Sequence, residues 1–182
     1  MRLLKSIHLL TLAAALTGSL GPASKAFAAT REWNPPGANR QWTQSTNWSG
    51  GVAPVAGDTL VFRSPPGLSE STNNFPVDTS FAQLIFGQNV VPSGNRIRLT
   101  GGVLSTNGST VNIDLPIALA AAATFEQGAP SIGSLFFMRE VTLGTNTLTC
   151  HTPIDSVAGI ALGDPVLSPP LVFSGSGTLR KT

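Results

Sequence analysis

Short segments in which apolar and polar residues alternate are the feature that most restricts the fold of this chain. Residues 96–100 (RIRLT) and 110–115 (TVNIDL) alternate with a period of two, as half-buried strands do. Residues 140–143 and 147–150 repeat the pattern. Turn-forming Gly and Asn residues separate these segments, namely Ser93-Gly94-Asn95, Gly101-Gly102, Asn107-Gly108 and Gly144-Thr145-Asn146. Turns at such regular, short spacing predict an all-β domain.

Residues 118–127 (ALAAAATFEQ) follow the alternating pattern least clearly. Their composition has high helix propensity, but no N-cap residue lies just before them. A helix of this length is only marginally stable without tertiary packing. The sequence therefore predicts a strand or extended structure here, and a helix is the alternative.

The strand segments from Phe81 onward are short, and their inward positions carry mostly Val, Ile and Leu. Thr, Asn and Ser occupy the outward positions, which suits a solenoid whose coils stack at ~4.8 Å. At roughly 20–25 residues per coil, this stretch would form about four or five coils. The period is irregular, so an antiparallel β-sandwich, which needs longer strands, is the alternative fold.

Residues 1–28 have the features of a secretory signal peptide. Arg2 and Lys5 provide the positive start, residues 7–20 are largely apolar, and Ala26-Phe27-Ala28 supplies the small residues that signal peptidase recognises. A membrane anchor is the alternative, but a spanning helix needs ~20 apolar residues. We therefore expect cleavage after Ala28, export from the cytoplasm and no membrane span afterwards.

Charge and composition exclude several classes of function. Of the 11 basic residues, Arg2, Lys5 and Lys25 lie in the predicted signal peptide, whereas all 9 acidic residues follow it. The exported part is therefore nearly neutral, which argues against nucleic-acid partners. One Cys cannot form an internal disulfide framework, and the single His beyond the signal peptide, His151, cannot form a multi-His metal site.

Few residues suggest catalysis. His151 precedes Asp155 by four positions, but the chain has no Gly-x-Ser-x-Gly nucleophile motif. Cys150 lies on the inward phase of a strand pattern, where a small buried thiol is expected. Arg96 and Arg98 share one strand face and could bind an anionic sugar, as in a polysaccharide lyase, although a solvated face is the simpler interpretation. The sequence predicts no enzyme, no catalytic or metal-binding residue and no cofactor.

The three tryptophans, Trp33, Trp42 and Trp48, fall close together near the start of the exported chain. Large side chains of this kind can cover the end of a β core made of small residues. Alternatively, they could stack on sugars, as in a carbohydrate-binding module. The pair Gly57-Asp58 precedes an apolar strand, where a turn carboxylate accepts backbone N–H bonds. A catalytic or calcium-binding carboxylate is the alternative role for Asp58.

Residues 47–62 (NWSGGVAPVAGDTLVF) carry a more specific pattern: Asn-Trp, then Gly-x-x-Pro-x-x-Gly-Asp, then an apolar strand. This block resembles the opening of bacterial proteins with autotransporter-associated β-strand repeats. Residues 81–86, 97–104, 111–119 and 173–182 are similar to later parts of the same family. The positions that match the opening pattern are Trp42, Asn47, Trp48, Gly51, Pro54, Gly57, Asp58, Val61 and Phe62.

The resemblance implies a right-handed parallel β-helix at the bacterial cell surface, with residues 29–65 as an N-terminal cap and 66–182 as the β-helix. Together with the export signal, the strand periodicity and the lack of catalytic motifs, the resemblance predicts a structural or adhesive stalk without catalytic activity. Surface polysaccharide or another cell-surface protein is the expected partner. The translocator barrel that holds such proteins in the outer membrane, and the tandem repeats, do not occur in these residues. We therefore expect part of a longer product, with an open C-terminal edge that self-associates.

Overall fold

The computed structural model describes residues 28–35, 39–63, 70–106, 110–128, 133–152, 159–162 and 173–182. Apart from Ala28, the predicted signal peptide lies outside the described residues. Strands dominate the described chain, and its helical parts are two short 3₁₀ helices, Ser45–Asn47 and Ser49–Gly51. No helix in the described ranges has the length and apolarity required to cross a membrane. The prediction of an all-β protein is confirmed.

The strands are short because turn residues interrupt each alternating segment. In chain order they are β1 Thr30–Trp33, β2 Thr59–Phe62, β3 Glu70–Asn73, β4 Thr79–Phe81, β5 Gln83–Phe86, β6 Val91–Gly94, β7 Ile97–Leu99, β8 Val103–Ser105, β9 Val111–Ile113, β10 Ile117–Leu119, β11 Ala123–Gln127, β12 Ser134–Phe137, β13 Val141–Gly144, β14 Thr147–His151, β15 Gly159–Leu162, β16 Phe173–Gly175 and β17 Thr178–Lys181.

These strands form four parallel sheets. The largest has the order β1-β2-β5-β8-β11-β14-β17, and the second has the order β16-β13-β10-β7-β4. The two smaller sheets are β15-β12-β9 and β3-β6. After β1, every strand therefore pairs with the strand three positions later or earlier along the chain. Parallel neighbours require a long crossover. From β2 onward the crossovers contain strands of the other sheets, and the connection from β1 to β2 contains the two 3₁₀ helices.

The antiparallel β-sandwich alternative is wrong for the described chain. Every pair between named strands is parallel. A sandwich is built from antiparallel hairpins, in which consecutive strands lie side by side. In this protein consecutive strands from β2 onward belong to different sheets, because each turn directs the chain into the next sheet instead of back along the same one.

The strand register places apolar side chains in columns that face the interior. In the largest sheet Leu60 pairs with Leu84, Leu84 with Val103, Val103 with Phe125, and Phe125 with Cys150. All five side chains belong to the buried core. Because side chains alternate between the two faces of a strand, a slip of one residue would turn such a column toward solvent. The alternating sequence pattern therefore specifies the register.

The segment 118–127 is extended, so the strand prediction is confirmed and the helix alternative is wrong. It contributes the end of β10 and all of β11. Along β11, Ala123, Phe125 and Gln127 are buried, whereas the two residues between them are more exposed. A helix could not place these three side chains on one face, so burial in the sheet outweighs the helix propensity of the alanines.

Candidate functional site

The turn before β2 holds Asp58 in place. Gly57 has φ of +92°, a backbone conformation that side-chain-bearing residues adopt at a cost. The Asp58 N–H donates to the Val55 carbonyl at 3.1 Å, and the Asp58 carbonyl accepts from the Ala82 N–H at 2.9 Å. The buried ring of Pro54 leads into this turn. Gly57 and Asp58 therefore form a tight turn, and the hydrogen bond from Ala82 joins this turn to the residue before β5.

The Asp58 carboxylate is fully buried and accepts three hydrogen bonds. Its Oδ1 accepts from the Ala29 backbone N–H at 2.8 Å. Its Oδ2 accepts from the Val55 N–H and from Nε of Arg31, both at 3.0 Å. The carboxylate thus joins the turn to the beginning of β1. Ala29 and Arg31 could not be predicted as partners of Asp58 from a local sequence pattern, because both lie far from it along the chain.

Two opposing effects determine the pKa of Asp58. Burial by itself raises it, since the charged form loses contact with water. The hydrogen bonds from Ala29, Val55 and Arg31, together with the charge of Arg31, lower it, and the net pKa lies below the ordinary aspartate value. Asp58 is therefore an ionised anchor at neutral pH, and its oxygens are directed at protein donors.

The three tryptophans form one buried cluster that includes Trp33 of β1 and packs against Phe62 of β2. Trp33, Trp42 and Trp48 are exposed by only 1%, 0% and 2%, so no ring face is available on the surface for a sugar to stack on. The ring centroids of Trp33 and Trp48 are 5.0 Å apart in an edge-on arrangement, and that of Trp42 lies 5.5 Å from Phe62. The indole N–H of Trp48 donates to the Trp42 carbonyl at 2.7 Å. The cluster continues through Phe62 into Phe86, with a stacked centroid distance of 5.0 Å.

Other residues of the Asn-Trp block, residues 47–62, make contacts close to the tryptophan cluster. Nδ2 of the buried Asn47 donates to the carbonyls of Asn39 and Gln41 at 2.6 and 3.0 Å. Trp48 forms an isolated antiparallel bridge with Trp33. Gly51 adopts a positive φ of 69°. Residues Asn47 to Asp58 thus lie together next to β1 and β2. The side chain of Asn47 hydrogen-bonds to the backbone, and that of Trp48 packs in the core.

Cys150 and His151 lie at the end of β14. Burial raises the pKa of the Cys150 thiol, so the thiolate form required of a nucleophile is disfavoured. Nδ1 of His151 lies 3.2 Å from the hydroxyl of Thr182. Asp155 lies outside the described residues. Among the residues that the structure does describe, no group of three or more His, Cys, Asp or Glu is placed to hold a metal ion.

Charged side chains next to the ends of strands pair between neighbouring strand layers. Arg96 makes a two-point contact with Asp78, with Nε–Oδ1 and Nη2–Oδ2 distances of 2.7 and 2.8 Å. This contact lowers the pKa of Asp78. Arg139 pairs with Asp114 through a contact between its Nε and Oδ1 of the carboxylate. Arg98, the other residue of the predicted solvated face, is exposed on β7. These pairs depend on the strand register, and no local sequence signal marks them.

Comparison of the chain with protein-family models, with curated proteins and with solved structures gave no match. The family resemblance of residues 47–62 is therefore a prediction from sequence.

Proposed function

We propose that this chain is an exported structural or adhesive protein of the bacterial cell surface, built as a right-handed parallel β-helix without catalytic activity. The parallel pairing of every third strand from β2 to β17 is the observation that carries the proposal. Such a chain contributes one strand to each sheet in turn and then returns to the first sheet beside its previous strand there. Each complete turn therefore advances the chain by the distance between neighbouring strands, ~4.8 Å. Repeated passages make an elongated body, which is suited to holding a binding surface away from a membrane.

The distribution of side chains supports a scaffold. Apolar columns such as Ile97, Ile117 and Val141 face inward in register. Outer positions carry polar and charged residues, among them Arg98 and Thr124, and both side chains are exposed. A long polar face of this kind can contact surface polysaccharide or another cell-surface protein through hydrogen bonds. These are the partners we propose, together with a second copy of the chain at the outer edge of β17.

The N-terminal sequence supports export, and the Asn-Trp block supports kinship with autotransporter passengers. In the proposed β-helix, the cluster of Trp33, Trp42 and Trp48 covers the first layer of the core at Phe62. Such a cover prevents the end of the apolar column from being exposed to water. The burial of all three rings favours this role over sugar stacking.

Production of the full chain in a Gram-negative host tests the proposal. We expect the exported chain to lose its signal peptide and to be cleaved by protease added after the outer membrane has been permeabilised. We expect the purified chain to give an elongated profile in small-angle X-ray scattering. A control chain that lacks residues 2–28 should stay in the cytoplasm and resist the protease until the cells are lysed. An unprocessed chain in the cytoplasm would refute the export, and a compact scattering profile would refute the β-helix.

A further inference from the structure

We propose that removal of the signal peptide converts the backbone nitrogen of Ala29 into a charged N-terminus that pairs with the buried carboxylate of Asp58. Processing would then strengthen the contact between the beginning of β1 and the turn before β2. The inference depends on the export part of the proposed function, because cleavage after Ala28 requires that the chain enter the secretory route.

The position of Ala29 carries the inference. Its nitrogen lies 2.8 Å from Oδ1 of Asp58, and its carbonyl accepts from the Thr59 N–H at 2.8 Å. The N–H and the carbonyl of Ala29 are thus both hydrogen-bonded to residues directly before and at the start of β2, Asp58 and Thr59. The next residue, Thr30, starts β1 and pairs with Thr59. The atom that cleavage would expose therefore already lies in hydrogen-bond contact with a carboxylate that is 0% exposed.

The peptide bond between Ala28 and Ala29 is the one that signal peptidase is expected to cleave. Ala28 is exposed, while Ala29 is half-buried. The bond that joins these two residues therefore lies at the surface. Ala26 and Ala28 supply the small side chains that signal peptidase requires. The sequence thus predicts cleavage at this bond, and the structure places Ala29 directly before β1.

Hydrolysis changes the charge of this nitrogen. Water adds to the Ala28 carbonyl carbon, the C–N bond breaks, Ala28 leaves with a carboxylate, and the nitrogen of Ala29 gains two protons and becomes an ammonium. One neutral N–H donor is replaced by a cation with three donors, and hydrogen bonds between ionised groups are about twice as strong as neutral ones. Arg31 already binds the other carboxylate oxygen. Asp58 would then lie between two cations.

The first test identifies the N-terminus of the exported protein by intact mass and N-terminal sequencing. We expect the chain to begin at Ala29. A chain that begins at any other residue overturns the inference, even if the protein is exported. A chain that retains Met1 overturns both the inference and the proposed export.

The second test moves the charge without removing the hydrogen bond. A purified chain that begins at Ala28 keeps the neutral Ala29 N–H and carries its ammonium one residue further out. We expect its equilibrium constant for unfolding in urea to be about tenfold larger than that of the chain that begins at Ala29. In the Asp58→Asn background, the same comparison should give less than about a twofold difference, because the charge partner is gone.

Asp78→Asn is the matched control. Asp78 is also paired with an arginine, Arg96, but its carboxylate contacts no chain terminus. In this background the difference between the two chain starts should remain about tenfold. Equal differences in the Asp58→Asn and Asp78→Asn backgrounds, or no difference between the two starts, overturn the inference and leave the proposed surface role untouched.

A measurement on the unmutated protein covers the case in which Asp58→Asn does not fold. The N-terminal amine of the chain that begins at Ala29 is allowed to react with an acylating reagent near neutral pH. We expect acylation to be at least about tenfold slower in the folded chain than in urea, because pairing with a carboxylate keeps the amine protonated. The folded chain that begins at Ala28 is the control and should react at nearly its unfolded rate. Equal rates for the two folded chains overturn the inference.

Discussion

Replacement of Gly102 by alanine would place a methyl group against the backbone of a neighbouring strand. Gly102 lies directly before β8, which pairs with β11. A Cβ atom at Gly102 would be 1.8 Å from the carbonyl oxygen of Thr124, whereas real Cβ atoms essentially never approach closer than 3.0 Å. The two strands would have to separate by more than an ångström. Gly102→Ala therefore tests directly how closely these parallel strands approach each other.

The sign of the change in unfolding free energy shows which of two effects of Gly102→Ala is larger. One is the steric contact with Thr124, and the other is the lower backbone freedom of alanine in the unfolded chain. Gly102 does not adopt a positive φ, so alanine is conformationally acceptable there and, without the contact, would stabilise the protein by about 0.4–1 kcal/mol. Overpacking costs about 1–3 kcal/mol. The obstacle here is a backbone carbonyl that cannot rotate away, so the upper end of that range applies. We expect the free energy of unfolding to fall by about 3 kcal/mol.

Urea unfolding followed by the fluorescence of the three buried tryptophans measures this change. Gly50→Ala is the matched control, because Gly50 has a φ of +79° but nothing lies within 4 Å of its added Cβ. That substitution should cost only about 1–2 kcal/mol through backbone strain. If Gly102→Ala stabilises the protein, or costs less than Gly50→Ala, the close approach of β8 and β11 is refuted.

Three further changes have definite expected outcomes. The pKa of Asp58 is lowered in the folded state, so the stability that this group contributes is complete above its unfolded pKa of ~4 and is lost as the pH falls through the lower folded value. A plot of unfolding free energy against pH should therefore have a flatter acid limb in Asp58→Asn, and an unchanged limb would contradict the ionised anchor. Phe125 stacks on Phe137 with centroids 4.5 Å apart in the core, so Phe125→Ala should destabilise by about 3–5 kcal/mol in urea unfolding. Thr124→Ala, at an exposed position of the same strand, should stay within about 0.5 kcal/mol, and equal costs would show that β11 does not alternate as described. Finally, burial raises the pKa of the Cys150 thiol, so a maleimide should label Cys150 slowly in the folded protein and quickly in urea. Rapid labelling of the folded protein would contradict its burial.

Much of the strand pattern could be predicted from the sequence, because alternation is a local property. The segment 96–100 contains β7, and 110–115 contains β9. The segment 118–127 was harder to assign, since its alanines favour a helix locally. Its prediction as a strand depended on the missing N-cap residue and on its short length, whereas the burial of Phe125 between neighbouring strands is seen only in the structure.

The contacts around Asp58 could be predicted only in part. The sequence indicated a turn carboxylate that accepts backbone N–H bonds, and Val55 is such a donor. The other two donors, Ala29 and Arg31, come from β1 or the residue before it, and only the pairing of β1 with β2 brings them to the turn. The pair of Arg96 with Asp78 likewise depends on the alignment of two strand layers.

The sequence by itself determined which side chains point inward, because a period of two assigns alternate residues to opposite faces of any strand. It also determined where the chain turns, through Gly and Asn residues that tolerate tight backbone conformations. Only the tertiary structure decided that, from β2 onward, each strand pairs in parallel with a strand three positions away along the chain. The lengths of the connections vary, so that pairing leaves no regular period in the sequence, and it is established by the burial of whole columns of side chains at once.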